Sequence, residues 1–143
     1  METKNVTIVV NSSIRHPGQD EELHKLQATG QLIQKTSNSY LKFEEEQNGQ
    51  EVLTTVKLSA EDALIMRTGA VTMRLPFILN GKRKGIYGSG AATFELIVKT
   101  ERLKLTEEKD GSGGRFEVSY DLLAEGSVLG KYKLNITYME GTP

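Results

Sequence analysis

Two charged side chains lie where the sequence predicts apolar strand faces. Arg67 shares its alternating phase with Ile65, and Glu45 shares its phase with Phe43. Because a lone charge in an apolar interior costs several kcal/mol, each side chain needs a partner or contact with water. We therefore predict that Arg67 and Glu45 meet inside the folded chain.

Tyr40, Lys57 and Tyr87 are the further polar residues that we expect beside this pair. Together the five residues would form a polar anchor at the bottom or the mouth of a ligand cavity. The competing interpretation is a structural ion pair that fixes the register of the strands. The sequence pattern leaves both interpretations open.

Catalytic chemistry has weaker support. Glu44, Glu45 and Glu46 include carboxylates of the kind that glycosidases pair for acid–base catalysis. In a strand, however, only Glu44 and Glu46 share a face, and a solvated edge explains them. No serine lies in an elbow motif. We expect a protein that is not an enzyme, and an enzyme using Glu45 as acid–base group and Arg67 as anion anchor ranks last.

Neither a metal site nor a nucleotide site is expected. His16 and His24 are isolated and the chain has no cysteine, so the ligand count of a stable metal site is not reached. The segment Gly88–Ala92 is rich in glycine, like a dinucleotide-binding loop. The residues after it predict a strand, whereas such a loop must open a helix. A hairpin turn and the absence of a cofactor are therefore expected.

Length and charge narrow the class of protein. A chain of 143 residues suggests one domain over residues 1–143. Its 18 basic and 19 acidic residues give a net charge of −1, which offers no electrostatic reason to expect nucleic acid or a membrane surface as partner. The lack of cysteine fits a reducing compartment, and the apolar run after Asn5 is too short for a signal peptide. We expect a cytoplasmic protein, and the pattern does not indicate its oligomeric state.

Apolar and polar residues alternate with a period of two along much of the chain, and this alternation determines where all the residues above are placed. One apolar strand face consists of Val71, Met73, Leu75, Phe77 and Leu79. Similar runs recur along the chain, separated by turn signals such as Asn48–Gly49 and Asn80–Gly81. The spacing predicts about eight to ten strands in an up-and-down meander.

Two segments depart from the simple alternation. Ser59–Asp62 has the form of a helix capping box, but Gly69 follows so soon that we predict a turn and then a strand. Between Ala91 and Thr106 the apolar phase shifts by one residue. This shift predicts a bulge or sharp bend near Thr100 to Arg102.

The predicted strands share one apolar face, and no amphipathic helix is available to cover it. The sheet must therefore close on itself or pair with a second sheet. Because closure also removes exposed strand edges, a closed antiparallel up-and-down barrel is the favoured fold. A two-sheet sandwich is the alternative.

Several short motifs occur in a fixed order, namely Phe43-Glu44-Glu45, Thr54-Thr55-Val56-Lys57, Arg67-Thr68-Gly69, Tyr87 and the strand ending at Thr100. In these motifs the chain resembles the YwiB-type family of uncharacterised bacterial proteins, over nearly its whole length. The resemblance implies a calycin-type, lipocalin-like β-barrel in a bacterial cytoplasm, without an assigned activity. The chain departs from the family after Tyr87, where the family has a Thr-Pro turn leading to a glycine.

Our first functional hypothesis is a non-enzymatic binder of a small apolar or amphipathic ligand in the barrel interior. The alternative is a protein-interaction or structural module that acts through surface loops. Its candidate contacts are the basic hairpin Lys82–Lys84 and the loop Asp110–Gly114.

Overall fold

Ten antiparallel strands make up the fold in the computed structural model, which describes residues 2–47, 49–89 and 91–141. The strands are β1 Glu2–Arg15, β2 Glu22–Gln34, β3 Ser39–Gln47, β4 Gln50–Leu58, β5 Asp62–Gly69, β6 Val71–Ile78, β7 Lys82–Ser89, β8 Ala92–Glu107, β9 Gly113–Ala124 and β10 Ser127–Glu140. Within these ranges, no helix is long and apolar enough to cross a membrane.

The strands form a closed barrel in which each strand pairs with its neighbours in the sequence. Closure comes from β1, which pairs with β10 over ten residue pairs, from Val6 opposite Glu140 to Arg15 opposite Lys131. The predicted closed antiparallel up-and-down barrel is therefore confirmed, and the sandwich alternative is wrong. Physically, closure gives the backbone of the first and last strands the hydrogen-bond partners that an open sheet would leave exposed.

The barrel core follows the predicted alternation. Phe77 and Phe116 are fully buried and pack with aliphatic side chains from the other strands. Each large apolar side chain removed from water in this way stabilises the fold by roughly 1.5–3 kcal/mol. Leu79 was expected on the same face as Phe77, but β6 ends at Ile78 and Leu79 is exposed in the following turn.

Both irregular segments have the predicted form. The register of β8 against β9 shifts between Thr100 and Arg102, which lets Thr100 and Leu103 both face inward. The hydroxyl of Ser59 accepts hydrogen bonds from the backbone N–H groups of Glu61 and Asp62, both at 3.1 Å. This is a local turn that leads directly into β5, and not the start of a helix.

The predicted tight turns join neighbouring strands. Asn80 adopts a φ of 58°, a conformation that asparagine tolerates better than most residues. Asn48 and Gly90 lie outside the described residues, but the pairs on either side of them show hairpins, since Gln47 pairs with Gln50 and Ser89 with Ala92. Gly88 and Ser89 end β7 and Ala92 begins β8, so a strand and not a helix follows the glycine-rich segment, as predicted.

The two ends of the barrel differ. We call the end that carries the hairpins β1–β2, β3–β4, β5–β6, β7–β8 and β9–β10 the open end, and the opposite end the sealed end. Inward-facing side chains close the sealed end, among them Leu41, Val98, Phe116 and Tyr138. The ring of Tyr138 lies directly over Gly114, where a Cβ atom would collide with it. The interior is thus filled at the sealed end.

The ladder between β2 and β3 is incomplete. It runs from Gln34 opposite Ser39 to Gly30 opposite Phe43 and stops there. Toward the open end, Glu22–Thr29 of β2 and Glu44–Gln47 of β3 continue as strands without pairing to each other. We call the gap between these two segments the slot. A Cβ atom on Gly30 would lie 2.8 Å from Cδ1 of Ile8 and 2.9 Å from Cβ of Phe43, so the strands are packed tightly where the slot begins.

Candidate functional site

The open-end half of the barrel encloses a cavity of about 380 Å³. Every strand except β2 contributes residues to its lining. The apolar lining consists of Val10, Ile14, Phe43, Val56, Ile65, Met73, Leu75, Phe94, Leu96, Leu122, Leu134 and Ile136. Cavities of this size and composition are typical of small-molecule sites.

Three polar side chains from neighbouring strands meet in this cavity. A terminal guanidinium nitrogen of Arg67 donates to Oε2 of Glu45 at 3.0 Å, and the Thr54 hydroxyl donates to the same oxygen at 2.6 Å. The register explains the contact, because Thr54 lies opposite Arg67 on one side and opposite Phe43 on the other. The structure therefore brings Arg67 and Glu45 together, with Thr54 between them.

Arg67 keeps unused hydrogen-bonding capacity. Its Nε is buried and has no hydrogen-bond partner among the described residues. The side chains of Arg67 and Glu45 are 24% and 19% exposed, which places them near the rim of the cavity. The buried Nε is shielded from the cavity, whereas the terminal N–H groups that do not bond Glu45 are free to donate to an acceptor at the rim.

Tyrosines form the opposite side of the site. The rings of Tyr120 and Tyr132 stack with centroids 5.1 Å apart and planes 6° from parallel. Burial raises the pKa of Tyr120 far above its ordinary value, with a further contribution from Tyr132 and an opposing one from Arg67. Burial also raises the pKa of Tyr132, and the neighbouring Tyr87 raises it further. Both hydroxyls therefore stay protonated at neutral pH and can donate hydrogen bonds.

An aromatic pair lies at the rim. Tyr87 and Phe94 face each other across the β7–β8 hairpin with ring centroids 5.7 Å apart in an edge-to-face arrangement. They are 37% and 51% exposed although both line the cavity. Large aromatic surfaces left partly open to water are typical of the mouth of a binding site.

Two of the predicted site residues lie elsewhere, and their placement in the interior is wrong. Tyr40 and Lys57 face each other on the outer surface of β3 and β4. The ammonium group of Lys35 lies 5.1 Å from the Tyr40 ring centre, and Lys57 Nζ lies 3.7 Å from a carboxylate oxygen of Asp62. Strand alternation explains the error, because each residue neighbours a buried one, Leu41 or Val56, that already occupies the inner face.

Thr54 is the site residue that the sequence reasoning missed. The available signal was a polar residue at an inward position between Val52 and Val56, both of which are fully buried. A hydroxyl in that position needs a hydrogen-bond partner, and the structure supplies it in Glu45.

The other candidates for chemistry do not converge. Nδ1 of His16 lies 3.1 Å from the carbonyl oxygen of Leu129, and His24 lies 3.5 Å from the Glu22 carboxylate. In the described part of the chain, no three His, Cys, Asp or Glu side chains are grouped to hold a metal. Glu44 and Glu46 are exposed on the outer face, away from the cavity.

The two surface segments proposed for protein contacts differ in structure: one begins a strand, and the other runs from an exposed Asp110 through the β8–β9 turn to a buried Gly113. Lys82, Arg83 and Lys84 begin β7 at the sealed end, and all three are exposed. In the β8–β9 turn, hydrogen bonding from Ser112 holds the pKa of Asp110 below its ordinary value. That contact orders the loop locally.

Fold and site together define the class: an antiparallel β-barrel protein with an interior cavity that is partly polar at its rim. The family model described as "Domain of unknown function (DUF1934)" matches residues 8–136, and the chain belongs to this family. It is 30% identical over 137 residues to the protein described as "Uncharacterized beta-barrel protein YwiB" from Bacillus subtilis strain 168, covering 96% of this chain and 94% of the relative.

The fold is also that of a solved relative. The crystal structure of the ywiB protein from Bacillus subtilis matches with a TM-score of 0.85 and 29% identity, covering 98% of this chain and 94% of that one. The YwiB-type resemblance is therefore confirmed, and with it a bacterial β-barrel family.

Proposed function

We propose that the protein is a non-enzymatic binder of one small amphipathic anion, held in the barrel cavity. The observation that carries the proposal is the unfilled volume of about 380 Å³ beside the partly exposed guanidinium of Arg67, whose hydrogen bonding among the described residues is limited to Glu45. At roughly 30 Å³ per water-sized group, this volume accepts about a dozen such groups. That is the size of a fatty acid of roughly ten to twelve carbons or of a flat compound of two to three aromatic rings.

The polar and apolar residues of the lining lie at different ends of the cavity, and this distribution determines how a bound ligand would be oriented. The polar groups lie toward the open end, where Arg67, Tyr87 and Tyr132 line the cavity near the strand ends. The deeper lining is apolar, with Val56, Leu75 and other aliphatic residues above the filled sealed end. An anionic head group would therefore sit at Arg67, and the apolar part would point toward the sealed end. Because the sealed end is filled, longer chains should stop fitting.

The arrangement of carboxylates favours binding over catalysis. Glu45 is the one acidic side chain of the described residues that lines the cavity, and no histidine lines it. Its Oε2 is already occupied by Arg67 and Thr54. Acid–base catalysis by a carboxylate pair needs two carboxyl groups with different pKa values within reach of the substrate. The cavity offers no second carboxylate.

The test uses anilinonaphthalene sulfonate, an amphipathic anion that fluoresces when it enters apolar surroundings. Wild-type protein should bind it saturably, and dodecanoate should displace it better than dodecanol. Arg67→Met should weaken dodecanoate binding by roughly tenfold to a hundredfold, because a hydrogen bond to a charged group contributes about 1.5–3 kcal/mol. Binding of dodecanol should change little.

Arg74→Met is the matched control. Arg74 is exposed on the outer face of the neighbouring strand β6 and does not line the cavity. The substitution is chemically the same and should leave both affinities unchanged. Absence of saturable probe binding to folded wild-type protein, or equal loss of dodecanoate affinity in both variants, would contradict the proposal.

A further inference from the structure

At the slot, two neighbouring strands of the barrel wall stop pairing next to the cavity. Eight residues of β2, Glu22–Thr29, pair with β1 on one side and have no strand partner on the other among the described residues. Facing them, Glu44–Gln47 of β3 pair only with β4. Unpaired strand edges of this length are uncommon in closed barrels, which normally satisfy every edge.

The slot borders the cavity. Glu45 lies on the unpaired part of β3, and its side chain lines the cavity. Across the slot, β1 contributes Val10 and Ser12 to the lining, whereas β2, which lies between β1 and β3, contributes none. No side chain of β2 lines the cavity, although Leu26 and Ala28 of its unpaired half are partly buried and pack against the core.

At a second interruption of the ladder, backbone hydrogen bonds tie the adjoining turn to a third strand. The pairing of β6 with β7 covers only Val71–Arg74, so the sealed-end halves of these strands do not pair with each other. There the N–H of Asn80 donates to the carbonyl of Thr100 at 3.1 Å, and the N–H of Thr100 donates to the carbonyl of Gly81 at 3.0 Å. No comparable backbone bonds bridge the slot within residues 22–29 and 44–47.

From these observations we propose that the slot is the entrance through which the ligand reaches the cavity, with the unpaired half of β2 acting as the movable side. This inference rests on the proposed binding function. Backbone hydrogen bonds to β3 do not hold Glu22–Thr29, so moving this segment away from β3 breaks no ladder between them. Tight packing at Gly30 fixes the position of the hinge.

The experiment closes the slot with a disulfide, which is simple to design because the chain has no cysteine of its own. Continuing the β2–β3 register by one pair places Thr29 opposite Glu44, both exposed and outside the cavity lining. The variant Thr29→Cys/Glu44→Cys should form a cross-strand disulfide on mild oxidation. If oxidation is incomplete, a short bis-maleimide reagent joins the same two thiols.

The matched control is Gln31→Cys/Lys42→Cys, which joins two residues that are already paired on the same two strands. Mass spectrometry verifies both cross-links, and urea unfolding verifies that both proteins are folded. Stopped-flow fluorescence then measures how fast anilinonaphthalene sulfonate binds to the oxidised and the reduced form of each variant.

Closing the slot should slow probe association by about tenfold or more, within the one to three decades over which association rates usually vary. Probe that was bound before oxidation should also be released about as much more slowly. The affinity should therefore change less than either rate. Reduction should restore both rates. The control should show no difference between its two forms. Equal association rates in the oxidised and reduced slot variant would overturn the inference and assign entry to the mouth beside Tyr87 and Phe94. A reduced protein that never binds the probe would instead refute the proposed function itself.

Discussion

Replacing Arg67 and Glu45 singly and together measures whether they act as a coupled pair. Breaking a fully buried ion pair by removing one partner costs about 3–5 kcal/mol. Here 24% of the Arg67 side chain and 19% of the Glu45 side chain are exposed, and water offsets part of the lost interaction. We therefore expect Arg67→Met and Glu45→Leu each to lower the free energy of unfolding by about 2–3 kcal/mol.

The double variant should be far less destabilised than the sum of the two single variants. Removing both charges leaves no unpaired ion, and the remaining cost comes mainly from the buried hydroxyl of Thr54, which loses its acceptor. We expect a total loss of about 2 kcal/mol, which corresponds to a coupling energy of about 2–4 kcal/mol.

Urea unfolding is the appropriate assay, since a single domain of this length is expected to unfold in one cooperative step. The surface pair Arg102 and Glu117, with 3.8 Å between Nη2 and Oε2, serves as the control cycle. Its coupling should stay below about 1 kcal/mol, because Arg102 is largely exposed. Losses for Arg67 and Glu45 that add within about 0.5 kcal/mol would refute the coupling and the geometry behind it.

Two further predictions concern the core and the response to pH. Phe77→Ala should lower the free energy of unfolding by about 3–5 kcal/mol, whereas Phe94→Ala at the rim should cost less than about 1 kcal/mol; similar urea midpoints for the two variants would contradict the assigned inner surface. Burial, and then the nearby Glu107, raise the pKa of Tyr138 from 10.0 to about 12. The folded state favours the neutral phenol. Its contribution to the free energy of unfolding is therefore complete below pH 10 and is lost as the pH rises toward about 12. Tyr138→Phe should reduce the slope of stability against pH in that window, and an unchanged slope would assign the alkaline sensitivity to other groups.

Strand alternation made most of the fold predictable. It identified the inner faces, and the one-residue phase shift located the bulge between Thr100 and Arg102. It also brought Arg67 and Glu45 to one interior, because a charge on an apolar face has few other places to go. Applied without exception, the same rule would have placed Lys57 outside, since Val56 already faces inward.

The slot and the cavity were beyond what the pattern can show. Alternation assigns a side chain to a face, but it does not state how far two strands continue to pair. The separation of β2 from β3 beyond Gly30 and Phe43 depends on the twist and closure of the whole sheet. Likewise, the volume beside Arg67 depends on how side chains from nine strands pack, and not on the polarity of any one strand.

The pairing of β1 with β10 has a consequence for synthesis of the protein. Strand β1 finds its neighbour β10 only after β10 has left the ribosome, because Val6 pairs with Glu140 and Arg15 with Lys131. Until then, one edge of β1 is without its native neighbour and is free to join other nascent chains. Contacts between residues so far apart in the sequence make folding slow compared with that of helical domains of similar size. The rate of translation therefore helps to set how long the barrel is vulnerable to aggregation.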